Sequence, residues 1–293
     1  MYDIKGYYDA ETVNEAIALL AENPHLKIIA GGTDVLIKLH GGQLEDVELL
    51  CLRKIKSLER IRKLDDGTLV VGSMATFAQI FNDSILQETI PILAEAAISM
   101  GGPQIRNIAT IGGNLCNGAT SADSASSLFV LNARLKLQNP QGERVVSIHE
   151  FYLGPGKVAL NPGEILTEIL ISPEDYQGFG GHYIKFAMRK AMDIATLAVA
   201  VICKLQEGRF DDVRIGLGVA GPTPLRCRDA EGYAQGKSVS AATVAEIGKL
   251  AVKSAQARTS WRASKDYREH LVEELTQRAL KLAIVKAGGG ELV

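Results

Sequence analysis

Two short glycine-rich stretches hold the residues best suited to chemistry in this chain. The longer is Ala109-Thr110-Ile111-Gly112-Gly113-Asn114-Leu115-Cys116-Asn117-Gly118-Ala119-Thr120-Ser121-Ala122-Asp123. It contains three glycines, two asparagines, two threonines, one serine and one aspartate, with almost no bulk. Such a segment adds little to a core. It offers backbone N–H groups, short hydroxyls and glycines that let another molecule approach the main chain. The shorter stretch, Ile28-Ile29-Ala30-Gly31-Gly32-Thr33-Asp34, has the same character. Together they suggest a diphosphate held from two sides.

Taken singly, each has a plainer alternative. Gly31-Gly32-Thr33-Asp34 reads equally as a tight turn that needs positive φ and nothing else, and for the string alone that reading is preferred. It is not the GxGxxG fingerprint of a dinucleotide fold, and no GxxxxGK[ST] phosphate loop occurs. The longer stretch reads as an ordered loop, and long loops inside compact domains are usually functional. Asp123 either caps a helix starting at Ser124 or accepts a hydrogen bond from a ribose or an isoalloxazine ring. Cys116 reads as a small buried filler, since no histidine lies near it.

Nothing else in the chain looks like a protein catalyst. The five histidines form no HxxxH-type ligand pattern, and satisfied core or surface roles suit each. The carboxylates define no acid/base pair by spacing. Lys185, Arg189 and Asp193 stand around a strand end, where a solvated hairpin edge is the simpler reading. No catalytic side chain and no metal ligand is therefore assigned. That fits a protein whose cofactor carries the reaction.

Bulk properties narrow the field. A chain of 293 residues accommodates two domains, and its 46% hydrophobic and 23% charged residues are ordinary for a globular protein. The net charge of −2 gives no electrostatic reason for nucleic acid or an anionic membrane. Aromatics make up only 5%, with Trp261 the lone tryptophan, which argues against a base-stacking surface. The four scattered cysteines include no CxxC pair, against a zinc or iron–sulfur site made by this chain alone and against a disulfide framework. No run reaches the roughly 18 apolar residues of a membrane span, and Met1-Tyr2-Asp3-Ile4-Lys5-Gly6 has no apolar signal core. A soluble, cytoplasmic protein is expected.

Local patterns then place the motifs. A Thr12/Glu15 capping box followed by Val13, Ala16, Ile17 and Leu20 predicts a helix over 12–21, stopped by Asn23-Pro24. Residues 26–30 read as a buried strand entering the first glycine turn, and 35–39 as an apolar segment ending at Gly41-Gly42. A strand is predicted over 68–72, a helix over 91–100 begun by Pro91, and a buried helix over 124–132. Arg134-Leu135-Lys136-Leu137-Gln138 pairs with Arg144-Val145-Val146-Ser147-Ile148 across Asn139-Pro140-Gln141-Gly142 as a hairpin. A domain boundary falls near 173–181. Beyond it come strands at 183–188, 195–205 and 212–220, then helices at 241–251 and 265–287. This mixed order favours α+β over a doubly wound sheet.

Read jointly, Ala30-Gly31-Gly32-Thr33-Asp34 and Gln104-Ile105-Arg106-Asn107-Ile108-Ala109-Thr110-Ile111-Gly112-Gly113-Asn114 strongly resemble the FAD-binding medium subunits of molybdenum hydroxylases. The resemblance runs nearly end to end. It takes in Gly163-Glu164-Ile165-Leu166, Phe186-Ala187-Met188-Arg189 with Asp193-Ile194-Ala195, Pro222-Thr223-Pro224-Leu225-Arg226, and Trp261-Arg262-Ala263-Ser264-Lys265-Asp266-Tyr267-Arg268.

This resemblance implies a two-lobed FAD-binding domain of the vanillyl-alcohol-oxidase (PCMH) type over 1–175, with lobes of about 1–55 and 56–175. A smaller α+β domain over 176–293 would follow. Ile28, Ile29, Ala30, Gly31, Gly32, Thr33, Asp34 and Val35 would wrap the pyrophosphate. Thr110, Gly113, Asn114, Asn117, Ala119 and Asp123 would contribute from the other side. Ile165 and Leu166 would pack the adenine or ribityl end, Lys185 would reach the ring, and Asp193 would lie in a mobile loop near its face. Where relatives can carry a bulky aromatic, this chain has Met100, so ring stacking there is not implied.

The implied partners are a large subunit with a molybdenum cofactor (molybdopterin) and a small subunit with [2Fe–2S] clusters, in a heterotrimer or its dimer. Electrons would pass from those clusters through FAD to NAD. The large subunit would hydroxylate a purine such as xanthine, with nicotinate, an aldehyde or carbon monoxide as alternatives. A flavin-free scaffold is the reading from another class. The basic, aromatic stretch 261–268 would face a partner, though an amphipathic terminal helix is more often core-packed.

Overall fold

The computed structural model describes residues 3–292. The chain starts with strand β1 (Ile4–Asp9), helix α1 (Val13–Glu22), β2 (Lys27–Ile29), α2 (Val35–His40) and β3 (Val47–Cys51). These strands form a parallel sheet in the order β1-β3-β2. Parallel neighbours need a crossover, and α1 and α2 supply them. The predicted capping box is half formed. Thr12 Oγ1 accepts from the N–H of Glu15 at 3.1 Å, but the Glu15 carboxylate turns back to the N–H of Glu11 at 2.7 Å, not to that of Thr12.

A second lobe follows: β4 (Ile61–Lys63), β5 (Leu69–Gly72), α3 (Phe77–Asn82), α4 (Ser84–Thr89), α5 (Pro91–Ser99), α6 (Pro103–Arg106), α7 (Ile111–Cys116) and α8 (Ala125–Val130). Then come β6 (Arg134–Asn139), β7 (Gly142–Ser147), α9 (Ile148–Phe151), β8 (Tyr152–Gly154), β9 (Lys157–Val158) and β10 (Ile165–Ile171). Five of its strands form an antiparallel sheet in the order β4-β5-β10-β6-β7. The β6–β7 hairpin matches its sequence pattern, with Asn139 facing Gly142 across Pro140-Gln141. The complete capping box of the chain lies at Thr76/Gln79, starting α3, where both reciprocal bonds are made.

The third layer contains β11 (Gly180–Phe186), β12 (Leu197–Gln206), β13 (Arg209–Gly218), β14 (Leu225–Arg226), α10 (Arg228–Ala234), α11 (Ala241–Val252) and α12 (Lys265–Lys286). Its strands make an antiparallel sheet in chain order. The unbroken apolar run of β12 has a physical reason, because both faces are covered. Leu197, Val199, Val201 and Cys203 face a core shared with α11 and α12. Ala198, Ala200 and Ile202 face the core of the second lobe. The segment 173–181 is thus a change of sheet, not a gap in packing.

Backbone contact fixes that junction. A Cβ built on Gly216 of β13 would lie 2.5 Å from the Ser126 carbonyl oxygen of α8. Around the C-terminal end of α8, Arg214 donates to the Val130 carbonyl at 3.3 Å and to Asp175 at 2.8 Å. Arg226 donates to the Phe129 carbonyl at 3.1 Å and to Asn132 at 3.0 Å. It also clasps Glu231 through bonds of 2.6 and 2.9 Å, with both side chains buried. Cations at a helix C-terminus complement its carbonyls. Arg226→Met should therefore destabilise the chain by about 3 kcal/mol in urea unfolding, because Glu231 stays buried without its cation.

Candidate cofactor-binding site

β2 stops at Ile29, and the chain turns through Ala30–Asp34 into α2. Gly32 takes φ +78°, which favours glycine. The first helical bonds are Leu36 N–H to the Gly32 carbonyl at 2.9 Å and Lys38 N–H to Asp34 at 3.0 Å. Within the described residues, the N–H groups of Gly31, Gly32, Thr33, Asp34 and Val35 donate to no acceptor of the chain. The Asp34 side chain caps none of them. Five consecutive unpaired donors suit an anion cradle.

The second motif meets the first as main chain against main chain. A Cβ on Gly31 would stand 2.2 Å from the Ile108 carbonyl oxygen and 2.9 Å from Ala109 Cα. Lys38 of α2 reinforces the seam by donating to Asn117 Oδ1 at 3.0 Å. A cavity of about 330 Å³ lies here, lined by Ala30, Gly31 and Thr110 from the motifs and by Met74, Arg53, Lys56 and Glu59, with Lys56 paired to Glu59 at 2.8 Å. Lys38, Arg53 and Lys56 escaped the sequence reading. Only Lys38 had a usable signal, one helical turn beyond Asp34.

The expectation of one long open loop at 109–123 is corrected. Residues Ile111–Cys116 form α7, capped by Thr110 Oγ1 accepting from Gly113 N–H at 3.1 Å. Ile111 N–H bonds the Ala75 carbonyl, Gly112 N–H bonds Ser73, and Asn114 N–H bonds Thr110. None of these donors is spare. Glycine disfavours helices by propensity, but a Cβ on Gly112 would meet the Ser73 carbonyl at 2.6 Å, so packing on β5 decides. The spare donors of this stretch flank α7, at Thr110 before it and at Ala119, Thr120, Ser121 and Asp123 after it.

Asp123 does not cap a helix; Ser124 is the N-cap residue of α8. Its carboxylate instead meets Lys185 of β11, Nζ lying 3.0 and 3.1 Å from the two oxygens. Lys185 also donates to the Ser99 carbonyl at 3.2 Å. Only the Oδ2 contact is aligned as a hydrogen bond, so Asp123 Oδ1 is buried without a donor, and the nearby Tyr183 hydroxyl lacks a partner too. Burial pushes the Asp123 carboxyl up to about 6, although Lys185 pulls the other way. Burial also raises Tyr183, with the Asp123 charge adding to it.

Beside this pair, Asp193 accepts from the Arg189 N–H at 2.9 Å and closes a loop that rests on Gly101-Gly102. Met192 N–H bonds the Gly101 carbonyl at 3.1 Å. The loop, Ser99 and Lys185 line a second cavity of about 280 Å³. Met100 points into the second lobe's core and offers no ring-stacking surface.

The remaining apolar positions serve cores. Ile28 and Ile165 pack in one first-lobe cluster, Ile29 and Val35 in another, and Leu166 in the second lobe. Burial raises the Cys116 thiol to about 12, as a filler requires. His149 lies 3.0 Å from Asn132 Oδ1, and burial lowers it to about 4. Among the described residues, no group of three His, Cys, Asp or Glu could hold a metal, and no helix is long and apolar enough to cross a membrane.

Comparison with known proteins places this geometry. Residues 2–173 match the model of the FAD binding domain in molybdopterin dehydrogenase, and 182–283 that of the CO dehydrogenase flavoprotein C-terminal domain. The chain is 44% identical over 289 residues to the xanthine dehydrogenase FAD-binding subunit of Escherichia coli O157:H7, covering 99% of each. Its fold superposes on a chain of the carbon monoxide dehydrogenase of Hydrogenophaga pseudoflava with a TM-score of 0.92 at 28% identity, covering 98% of this chain and 99% of that one. It superposes on a chain of quinoline 2-oxidoreductase from Pseudomonas putida 86 with a TM-score of 0.92 at 27% identity and the same coverage.

The buried carboxylate has a pH signature. An unfolded Asp titrates near 4, so between about pH 4 and 6 the folded chain keeps a proton on Asp123 that the unfolded chain has released. The stability from this group is full below that window and is lost as pH rises through it. Asp123→Asn removes the slope. Urea unfolding should show the variant gaining on the parent by about 2 kcal/mol from pH 4 to pH 7. Parallel curves would show that Asp123 is not held in its raised state.

Proposed function

Because the chain belongs to the FAD-binding subunits of the molybdenum hydroxylase family, we propose that it binds FAD across the seam of its two lobes, in the vanillyl-alcohol-oxidase (PCMH) manner, and works as the electron-transfer subunit of a xanthine dehydrogenase. The observation that carries this reading is the run of five N–H donors at Gly31–Val35, set against the second motif by the Gly31–Ile108 contact. The donor set suits a diphosphate, and a buried Asp123 oxygen without a donor suits a ring that bears an N–H.

Thr110, Gly113, Asn114, Asn117 and Ala119 would contribute from the other side, where Thr110 lines the cavity and Asn117 Oδ1 accepts from Lys38. The main chain at Ile165 and Leu166 would meet the adenine end. Lys185 would hold the Asp123 carboxylate in its charged form toward the ring, and the 187–194 loop would restrict water there. When bound, FAD supplies a way to take electrons singly from iron–sulfur clusters and to pass them on as hydride to NAD. The protein's part is binding, orientation and electrostatics. The chain needs no catalytic side chain of its own.

The partners in this reading are a large molybdopterin-bearing subunit and a small [2Fe–2S] subunit, in a cytoplasmic heterotrimer or its dimer. Xanthine is favoured as the substrate of that large subunit by the 44% identity to the xanthine dehydrogenase subunit, against 31% to the carbon monoxide dehydrogenase medium chain of Hydrogenophaga pseudoflava.

The purified chain should carry FAD, be reduced by NADH and turn over no xanthine by itself. A colourless preparation that takes up no added FAD would overturn the cofactor assignment. Xanthine turnover by the lone chain would overturn the electron-transfer role. Gly32→Val should abolish FAD retention, since a left-handed backbone costs a non-glycine residue about 1–2 kcal/mol and a branched residue more. Gly113→Val should weaken it less, because a Cβ there meets side-chain atoms alone, Thr110 Oγ1 at 3.0 Å and Ala30 Cβ at 3.8 Å.

A further inference from the structure

Between α11 and α12 the chain crosses the surface in an irregular segment. A tight turn holds it, with Ser260 N–H bonded to the Ala263 carbonyl at 2.9 Å and Arg262 N–H to Ser260 Oγ at 3.3 Å. The turn presents Trp261, which is 76% exposed although it is a large aromatic. The Arg262 guanidinium stacks on its ring, 4.1 Å from the centroid. Arg258 stands exposed on the same segment.

Behind the turn lies Arg268 of α12, 3% exposed. Its guanidinium reaches only neutral oxygens, Ser260 Oγ at 2.9 Å and the Thr196 carbonyl. Arg258, Arg262 and Arg268 have no carboxylate partner among the described residues, and the Nε groups of Arg262 and Arg268 are buried without an acceptor. Burial lowers the Arg268 pKa, and the charges of Arg258 and Arg262 lower it further. Three like charges are thus gathered with no carboxylate paired to them among the described residues, in a protein whose net charge is −2. An anionic neighbour would relieve that repulsion. An exposed tryptophan beside arginines is also the composition of a protein-interface anchor.

The turn is coupled to the cofactor site. Tyr267 packs edge-on against Phe186 at 6.3 Å, and Arg268 grips Thr196. Phe186 and Thr196 close the base of the 187–195 loop through a 2.7 Å hydrogen bond. Lys185 is the next residue.

We propose that the Arg258–Trp261–Arg262 turn is the docking surface for an acidic segment of a partner subunit, braced by Arg268 against the base of the loop beside Lys185. This rests on the reading of the chain as one subunit of an electron-transfer assembly.

Trp261 is the sole tryptophan of the chain, so its emission reports directly on the turn. The full chain, with its flavin content measured separately, is titrated with a short polyglutamate peptide free of tryptophan. Polyglutamine and inorganic triphosphate serve as comparisons. The expected result is a saturable shift with polyglutamate, lost at about 0.5 M salt. Arg262→Glu should weaken it about tenfold or more while flavin content stays unchanged. Arg258→Gln, at an exposed position, gives a second and milder variant. No response to polyglutamate, or an equal response to polyglutamine, overturns the proposal. Tighter binding of triphosphate than of the peptide also overturns it, in favour of a phosphate ligand. A chain that lacks flavin yet binds polyglutamate separates failure of the cofactor reading from failure of this one.

Discussion

The contact of Gly31 with Ile108 is the constraint on which the site depends. It joins two lobes built on different sheets, one parallel and one antiparallel, with no side chain between them at that point. A glycine at the contact lets the turn after β2 lie directly on the chain that enters α7. The same device recurs at Gly112 on Ser73. With the lobes pressed together this closely, the free N–H groups of 31–35 are held against a rigid wall. Rigid donors lose little freedom when they meet an anion.

The two motifs divide the work unequally. The first leaves its N–H groups unpaired within the chain, whereas the second consumes those of 111–114 in capping α7 and in bonding to Ser73 and Ala75. The second is therefore chiefly a structural clasp, which contributes side chains and, beyond α7, the main chain of 119–121. From there the chain passes to Asp123 and α8, whose far end is gripped by Arg214 and Arg226. The segment from Thr120 to Val130 is thus held along its length by the third-layer sheet, which also supplies Lys185. A buried carboxylate opposite a buried lysine is placed by that packing and not by local preference.

This arrangement gives the 187–194 loop its position. It springs from the hairpin of β11 and β12, sits on Gly101-Gly102 and is braced from behind by Tyr267 and Arg268. A contact on the outer surface of that brace can reach the 187–194 loop through a short, packed path. Relatives with different substrates share the fold at a TM-score of 0.92. One fold thus serves enzymes of different named substrates.

Much of this was legible in the residues alone. The β6–β7 hairpin, α5 begun by Pro91, the buried α8 and the long α12 follow from period, turn chemistry and caps, which are local. The α+β character and the pairing of two glycine motifs were legible for the same reason. Strands β1, β3 and β10 were not, because short apolar strands carry too little pattern to distinguish them from other buried segments. Nor was α7, since its glycines argue against a helix until Ser73 is known to lie beside them. The Asp123–Lys185 pair joins residues from separate sheets, and no spacing in sequence encodes it. Composition determined that the chain has sparse, donor-rich turns. Which donors stay free, which are consumed, and which charge meets which was decided by the packing of three layers, because those outcomes depend on distances between segments that the linear chain does not specify.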